Sequence, residues 1–191
     1  MNTATAVHIS SNALMLIGHQ PITSFEEAGA GARVANAFYD TSYKALLSLH
    51  PWTFATKKAS LNQLSQKPLN EWQYMYQIPT DSIKILNVYP HSDYAIYEDK
   101  IYSNNSSLDL DYLYRVDESY LPTEFRETLE LYLAAKWAIP VTENATTAGQ
   151  YLQMYEIQLR KAKYIDSQSK PNKAVPDVAA APIRLRRRRG W

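Results

Sequence analysis

Two stretches decide the fold of this chain: residues 72–78, WQYMYQI, and residues 108–116, LDLDYLYRV. In each stretch, large apolar side chains alternate with positions that are mostly polar. Strict alternation over about five to nine residues is the period of a β-strand with one buried face. Both stretches lie within residues 52–120, where nine of the fifteen tyrosines also fall. We therefore predict a β-rich block in the middle of the chain.

The other strands of this block are predicted from their β-branched and aromatic composition. They cover residues 52–61, 83–89, 94–97 and 100–102, and the last two form a tight hairpin around Glu98 and Asp99. Residues 79–82, PTDS, indicate a turn, because proline and short polar side chains favour turn conformations.

Two helices are predicted before the block, over residues 5–17 and 32–49. Thr3 and Thr5 are both candidate N-caps, since a hydroxyl can accept a hydrogen bond from a free amide of the first turn. Gly18 is a candidate C-cap because glycine adopts the left-handed conformation at little cost. Pro51 ends the second helix. The expected buried residues of that helix are Val34, Phe38, Ala45, Leu46 and Leu49.

Two more helices are predicted after the block. Pro122 begins the first, at a position where its missing amide costs nothing, and Pro140 is expected to end it. Its expected buried residues are Phe125, Leu129, Tyr132, Leu133 and Trp137. Thr142 or Asn144 caps the second helix, which runs to residue 166. Its apolar residues follow the spacing of a helix packed along a bundle: Ala148, Leu152, Tyr155, Leu159 and Ala162.

These elements predict an α+β fold in which the N- and C-terminal helix pairs form a four-helix bundle. Residues 1–51 and 121–166 make up the helical domain, and residues 52–120 form an antiparallel, β-rich insert. Residues 167–191 are rich in proline, alanine and polar side chains, which indicates an extended C-terminal arm.

Positive charge is concentrated at the end of the arm. The net charge is +1, yet the last nine residues hold five arginines, and the remaining 182 residues carry 15 basic and 19 acidic groups, a net charge of −4. Such asymmetry indicates a separate binding role for the arm. Within residues 183–186, arginines alternate with apolar residues, a pattern that would suit an added strand. Trp191 is a candidate anchor for a pocket of the partner. The predicted partner-binding residues are Ile183, Arg184, Leu185, Arg186, Arg187, Arg188, Arg189 and Trp191.

Several kinds of chemistry are disfavoured by the sequence. The chain has no cysteine, so disulfides, thiol catalysis and cysteine-ligated metals are excluded. The four histidines, His8, His19, His50 and His91, share no helical spacing, so no metal site is expected. Gly29 and Gly31 lack the remaining pattern of a phosphate-binding loop, so no nucleotide cofactor is expected. We expect neither a signal peptide nor a membrane segment.

Two sets of side chains remain open to a functional interpretation. Asp109 and Asp111 project from one face of a predicted strand, and paired carboxylates could serve a glycosidase, although a solvated strand face has the same pattern. The tyrosines of the β block are either its aromatic core or a partner surface, where tyrosine is enriched. The candidates for a tail or subunit interface are Tyr94, Tyr97 and Tyr102.

An ordered set of segments resembles the head-to-tail adaptor proteins of short-tailed bacteriophages, also called tail tubular protein A or gatekeeper. The segments are spread over residues 5–166. They are Asn12-Ala13-Leu14, Ile17-Gly18 and Ile22; LLSLHPWTFA, 46–55; WQYMYQIPTD, 72–81; YLYRV, 112–116; LPTEFRETLELYLAAKWAIPVT, 121–142; and Tyr155 with Ala162.

The resemblance implies a structural virion protein rather than an enzyme. Members of that family form a ring of twelve below the portal and join it to the tail nozzle, and viral DNA passes through the lumen. Their C-terminal arms reach along the portal. One relative has been credited with cell-wall hydrolase activity, so a peptidoglycan hydrolase stays an alternative, as does a DNA-binding module acting through the arginine-rich arm. The implied location is the neck of the virion, after assembly in the host cytoplasm.

Overall fold

The computed structural model describes residues 5–68 and 71–169, which form a mixed α+β fold with four helices and two small antiparallel sheets. The helices are α1 (Ala6–Leu16), α2 (Ala30–Ser48), α3 (Thr123–Thr142) and α4 (Ala145–Gln168). The strands are β1 (Thr56–Ser60), β2 (Tyr74–Gln77), β3 (Ser82–Tyr89), β4 (Tyr94–Tyr97), β5 (Lys100–Ser103) and β6 (Asp109–Tyr114). Short 3-10 turns occupy Thr53–Ala55 and Glu118–Tyr120.

The predicted helix caps are confirmed. The Thr5 hydroxyl accepts a hydrogen bond from the His8 amide at 3.1 Å, and Gly18 follows α1 with a φ of 79°. The Asn144 side chain accepts from the Thr147 amide at 3.0 Å and caps α4. Each cap satisfies a backbone group that the helix itself leaves unpaired.

The predicted buried side of α2 is partly wrong. Leu46 is buried, but Phe38 and Leu49 are 53% and 51% exposed. Tyr39 and Tyr43 face the core instead, because each phenol finds a buried acceptor. The Tyr39 hydroxyl donates to Glu118 at 3.2 Å, and the Tyr43 hydroxyl donates to the Val116 carbonyl at 2.8 Å. A hydrogen-bonded tyrosine can be buried as readily as a phenylalanine.

Pro140 does not end α3, contrary to the prediction. The helix continues to Thr142, and Glu143 then takes up a left-handed conformation with its amide donating to the Ile139 carbonyl. Proline here removes one intrahelical hydrogen bond, and it lies in the last turn, where little helix remains to be disrupted. The predicted buried face of α3 is otherwise correct: Phe125, Leu129, Leu133 and Trp137 are buried, and Tyr132 is half-buried.

The strands form two three-stranded antiparallel sheets. Sheet 1 has the order β1-β6-β3, and sheet 2 has the order β2-β5-β4. The predicted hairpin around Glu98 and Asp99 is confirmed as β4–β5. The first predicted strand is too long, since residues 53–55 form a 3-10 turn and β1 begins only at Thr56.

Sheet 1 lies between two hydrophobic cores. One core joins the four helices to Trp52, Leu113 and Val116. The other lies between the sheets and contains Tyr76, Val88, Ile101, Leu108, Leu110 and Tyr112. Helix α3 contacts each of the other three helices, so the helical core is arranged around it. Because β6 contributes to both cores, it connects the helical part of the molecule to sheet 2.

Candidate interaction surfaces

The β4–β5 hairpin exposes aromatic surface at the edge of sheet 2. Tyr94 and Tyr97 are 43% and 53% exposed, and Tyr102 is half-buried. The rings of Tyr97 and Tyr102 meet edge to face at 5.4 Å between centroids. Tyr94 lies three residues before Tyr97, and alternation along a strand therefore puts it on the opposite face of the sheet. Two of the three predicted interface tyrosines thus form one cluster, and the third lies apart.

Helix α4 carries apolar residues on two sides. One side, with Tyr155 and Ala162, is buried. Met154, Ile157 and Tyr164 fall within an arc of roughly 80° on another side, at about 100° per residue. They are 50%, 62% and 67% exposed, and they are called the α4 stripe below. Surface of this kind, when contiguous, marks protein–protein contact sites.

The end of α4 is tied to the segment that leads from α2 into sheet 1. The Asp166 carboxylate accepts hydrogen bonds from the Thr53 amide at 2.9 Å and from the Thr53 hydroxyl at 3.3 Å. His50 Nε2 lies 3.2 Å from the same carboxylate, and the His50 ring packs edge to face on Trp52. His50 therefore has a structural contact here. A cavity of about 270 Å³, lined in part by Phe54 and Phe125, adjoins this contact.

A partly buried polar cluster links α2 to the chain after β6. Arg115 contacts Glu118 at 2.6 Å and Asp40 at 3.0 Å, and its guanidinium lies 4.8 Å from the centre of the Tyr43 ring. Burial alone would lower the pKa of Arg115, but the hydrogen bonds to Glu118 and Asp40 raise it above its ordinary value. Burial, followed by the charge of Glu118, raises the pKa of Tyr39. These contacts join α2, through Asp40, Tyr39 and Tyr43, to the segment that follows β6.

Asp109 and Asp111 both line a shallow groove of about 350 Å³ beside β1. The Ser60 hydroxyl donates to Asp109, and the Lys58 ammonium lies 3.8 Å from Asp111. Asp109 is exposed, and Asp111 is largely buried. The Cα atoms of residues two apart on a strand are separated by roughly 6.5 Å, so two carboxylates share this groove as the alternation predicted.

The remaining candidate residues make local contacts. His19 Nδ1 lies 2.9 Å from the Gln20 carbonyl, and the His91 ring packs on Tyr89 at 4.6 Å. The Glu27 carboxylate accepts from the amide and hydroxyl of Thr23. Within residues 5–68 and 71–169, no group of three or more histidine and carboxylate side chains is placed to hold a metal ion. Among the described helices, none has the length and hydropathy needed to span a membrane.

The predicted arm residues, from Ile183 to Arg189 and Trp191, lie outside the described part of the chain. A scan against family models and a search of curated proteins return no match to this chain.

The α4 stripe and the Asp166 contact were not predicted from the sequence. The stripe has a signal in the sequence, because Met154, Ile157 and Tyr164 belong to a second four-three spacing that also includes Gln150 and Lys161. The predicted packing side, with Tyr155 and Ala162, is more continuous and hides it, although Leu152 of that side is 47% exposed, contrary to the prediction. The Asp166 contact joins residues 113 positions apart, and nothing local in the sequence indicates it.

Proposed function

We propose that this protein is a structural adaptor of a short-tailed bacteriophage virion, without enzymatic activity. Copies of the chain form a ring that joins the portal protein to the nozzle protein of the tail. The observation that carries the proposal is the α4 stripe, because one helix buries one apolar side within its own chain and presents another outward. A ring subunit needs apolar surface for its neighbour in addition to its own core.

The same proposal includes the roles of the helices, the β block and the C-terminal arm. The four helices act as a four-helix bundle, the β block as an insert, and residues 167–191 as an extended arm that binds the portal. A ring contact joins two different surfaces of adjacent copies, so the α4 stripe needs a second patch. Phe38 on α2, which is 53% exposed, supplies apolar surface on another helix. The ring of twelve, the lumen for viral DNA, the place in the virion neck and the assembly in the host cytoplasm follow from the resemblance.

The charge distribution supports this role. The first 182 residues carry a net charge of −4, whereas the arm end is strongly basic. A mildly acidic lumen does not attract phosphates, so DNA could pass through it without being retained. The contacts of Arg115 with Asp40 of α2 and with Glu118 after β6 also suit a subunit that is held between two partners.

The ring contact is tested by charging the α4 stripe. Ile157→Asp should prevent ring formation on the portal, because it places a carboxylate in an apolar contact. Leu152→Asp is the matched control: Leu152 is 47% exposed and lies about 140° around α4 from Ile157. Native mass spectrometry of each variant mixed with the portal ring counts the bound copies. Full binding by Ile157→Asp would contradict the proposed contact.

A peptidoglycan hydrolase is a second candidate, and the groove shared by Asp109 and Asp111 is the observation that favours it. Two carboxylates across a groove are what glycosidases use, one as an acid and the other as a base or nucleophile. Turbidity loss of purified peptidoglycan, abolished by Asp109→Asn or Asp111→Asn, would support this activity. No turbidity loss with the unaltered protein would exclude it for that substrate.

A further inference from the structure

The four outer edges of the two sheets differ in how well they are protected against another strand. Exposed edges are usually blunted by lysines, bulges or a covering segment. Edge strand β1 carries Lys57 and Lys58, and β3 has two register irregularities. The segment before β2 covers that edge, because Gln63 pairs with Tyr76 and the Leu64 amide donates to the Met75 carbonyl at 2.8 Å.

Strand β4 shows none of these devices in the described part of the chain. Its sequence, YAIY, contains no charge and no proline, its register with β5 is regular, and its described strand partner is β5 alone. Tyr97 and Lys100 flank the two-residue turn, and such a flanking pair exchanges its backbone hydrogen bonds. The backbone groups of Tyr94 and Ile96 therefore point toward the open edge.

A row of apolar side chains ends abruptly at this edge. Tyr76, Ile101 and Ile96 are neighbours across β2, β5 and β4. Tyr76 and Ile101 are 1% and 0% exposed, but Ile96 is 44% exposed. Beside Ile96 lies a groove of about 460 Å³ between the sheets, lined by Ile83 and Ile85 among others. One more strand next to β4 would place apolar side chains into this groove and continue the row.

The rim of the groove carries both acidic and basic side chains. Glu98 and Asp99 line it, and their side chains are 82% and 64% exposed. Lys100 approaches both at 3.7 Å, and Lys84, which also lines the groove, donates to the Ser48 carbonyl of α2. A strand that fits this edge presents apolar side chains to the groove. Its alternate side chains can be basic, because Glu98 and Asp99 are exposed and Lys100 comes no closer to either than 3.7 Å.

We propose that residues 183–187 of the same chain, IRLRR, add to the open edge of β4 as a further strand of sheet 2. Ile183 and Leu185 enter the groove beside Ile96, and Arg184 and Arg186 point to the other face, within reach of the acidic turn. Successive side chains of a strand point to opposite faces of the sheet, so the apolar and basic side chains of this segment would lie on different faces.

The connection is long enough for this pairing. Fourteen residue steps separate Ser169 from Ile183 and span up to about 46 Å when extended. The 163 described residues correspond to a radius of gyration of only about 15 Å. A strand of four or five residues binds weakly on its own, but a short tether gives it an effective concentration in the millimolar range. This favours the segment of the same chain over that of a second copy.

The proposal does not rest on the adaptor function. The same residues form the portal-binding end of the arm proposed above, so both hold only if the portal displaces them from β4. The portal-binding measurement can fail without affecting the β4 measurement, and the reverse is also true.

Hydrogen exchange of the full-length protein, followed by NMR, tests the pairing. In the double variant Ile183→Asp/Leu185→Asp, the amides of Tyr94 and Ile96 should exchange at least about tenfold faster than in the unaltered chain. The Ile101 amide serves as the internal reference and should not change. Val175→Asp/Val178→Asp is the matched control, since it introduces the same two charges earlier in the arm.

Two results would overturn the proposal. The first is equal exchange at Tyr94 and Ile96 in the unaltered chain and in the Ile183→Asp/Leu185→Asp variant. The second is protection that disappears on dilution, because pairing within one chain does not depend on concentration.

Discussion

Asp166 makes side-chain contacts with residues more than 110 positions earlier in the sequence. Its carboxylate joins α4 to Thr53 and His50, at the point where α2 passes into sheet 1. The same segment contains Trp52, a fully buried side chain that packs edge to face on Phe125 of α3. One carboxylate thus holds the end of α4 against the segment that contains Trp52, and Trp52 in turn packs on α3.

We predict that Asp166→Ala lowers the free energy of unfolding by about 0.5–1.5 kcal/mol, because it removes the hydrogen bonds that Thr53 donates to this carboxylate. Urea denaturation followed by circular dichroism measures the change. Glu156→Ala, an exposed position on the same helix, should change the free energy by less than about 0.5 kcal/mol. Equal effects of the two variants would show that the Asp166 contact contributes nothing specific.

Glu130 is a partly buried carboxylate whose charge opposes folding. Burial raises its pKa above the ordinary value of 4.5, and the hydrogen bond from Asn12 at 2.8 Å offsets this only in part. The folded state therefore binds the proton more tightly than the unfolded state does. The stability contributed by this group is present at low pH and declines as the pH rises from about 4.5 through the raised pKa.

Glu130→Gln should therefore raise the melting temperature at pH 7, since an amide has no charge to bury and its oxygen can still accept from Asn12. At about pH 4 the difference between variant and unaltered protein should shrink toward zero. Thermal melts at both pH values test this, with the exposed Glu156→Gln as a control. A variant that is less stable at pH 7 would contradict the assignment.

At the scale of elements, the periodicity of apolar residues and the local composition together locate most helices and strands. Alternation predicts β2 and β6, and composition predicts β3 and the β4–β5 hairpin within one or two residues. The burial of both faces of β6 could not be predicted in this way. Leu110 and Tyr112 face sheet 2, as the alternation predicts, but Leu113 on the other face is also fully buried, against the helices. Which faces of a sheet are covered depends on long-range packing.

The buried face of α2 could not be predicted for a related reason. Phe38 is more apolar than Tyr39, so the sequence favours burying the phenylalanine. Tyr39 is buried because Glu118, 79 residues later, accepts from its hydroxyl. The strand order of sheet 2, which leaves β4 at an edge, is likewise a tertiary property. The α4 stripe was readable in the sequence, but only the structure shows which of two apolar spacings is buried.

Helix α4 depends on its cap because its first turn contains no acidic side chain to favour the helix dipole. Asn144→Ala should lower the free energy of unfolding by about 0.5–2 kcal/mol, since the Thr147 amide loses its acceptor. Asn144→Asp should retain most of that free energy. Chemical denaturation of the three proteins measures both effects, and an Asn144→Asp variant as unstable as Asn144→Ala would show that capping is not the cause.

For the whole molecule, the proposed adaptor role depends on exposed surfaces that lie apart from one another. The α4 stripe and the hairpin tyrosines Tyr97 and Tyr102 are separate surfaces that could each meet a different partner. Two hydrophobic cores connected through β6 join these surfaces into one body. A subunit that contacts neighbouring copies, a portal and a nozzle requires several such surfaces.

The central claim is tested most directly by the mass of the protein, alone and mixed with its portal ring, measured by light scattering or native mass spectrometry. The adaptor proposal predicts twelve copies bound per portal ring. A protein that stays monomeric, does not bind the portal and instead retards DNA would contradict it, and would favour a nucleic-acid-binding role for the arginine-rich end of the chain.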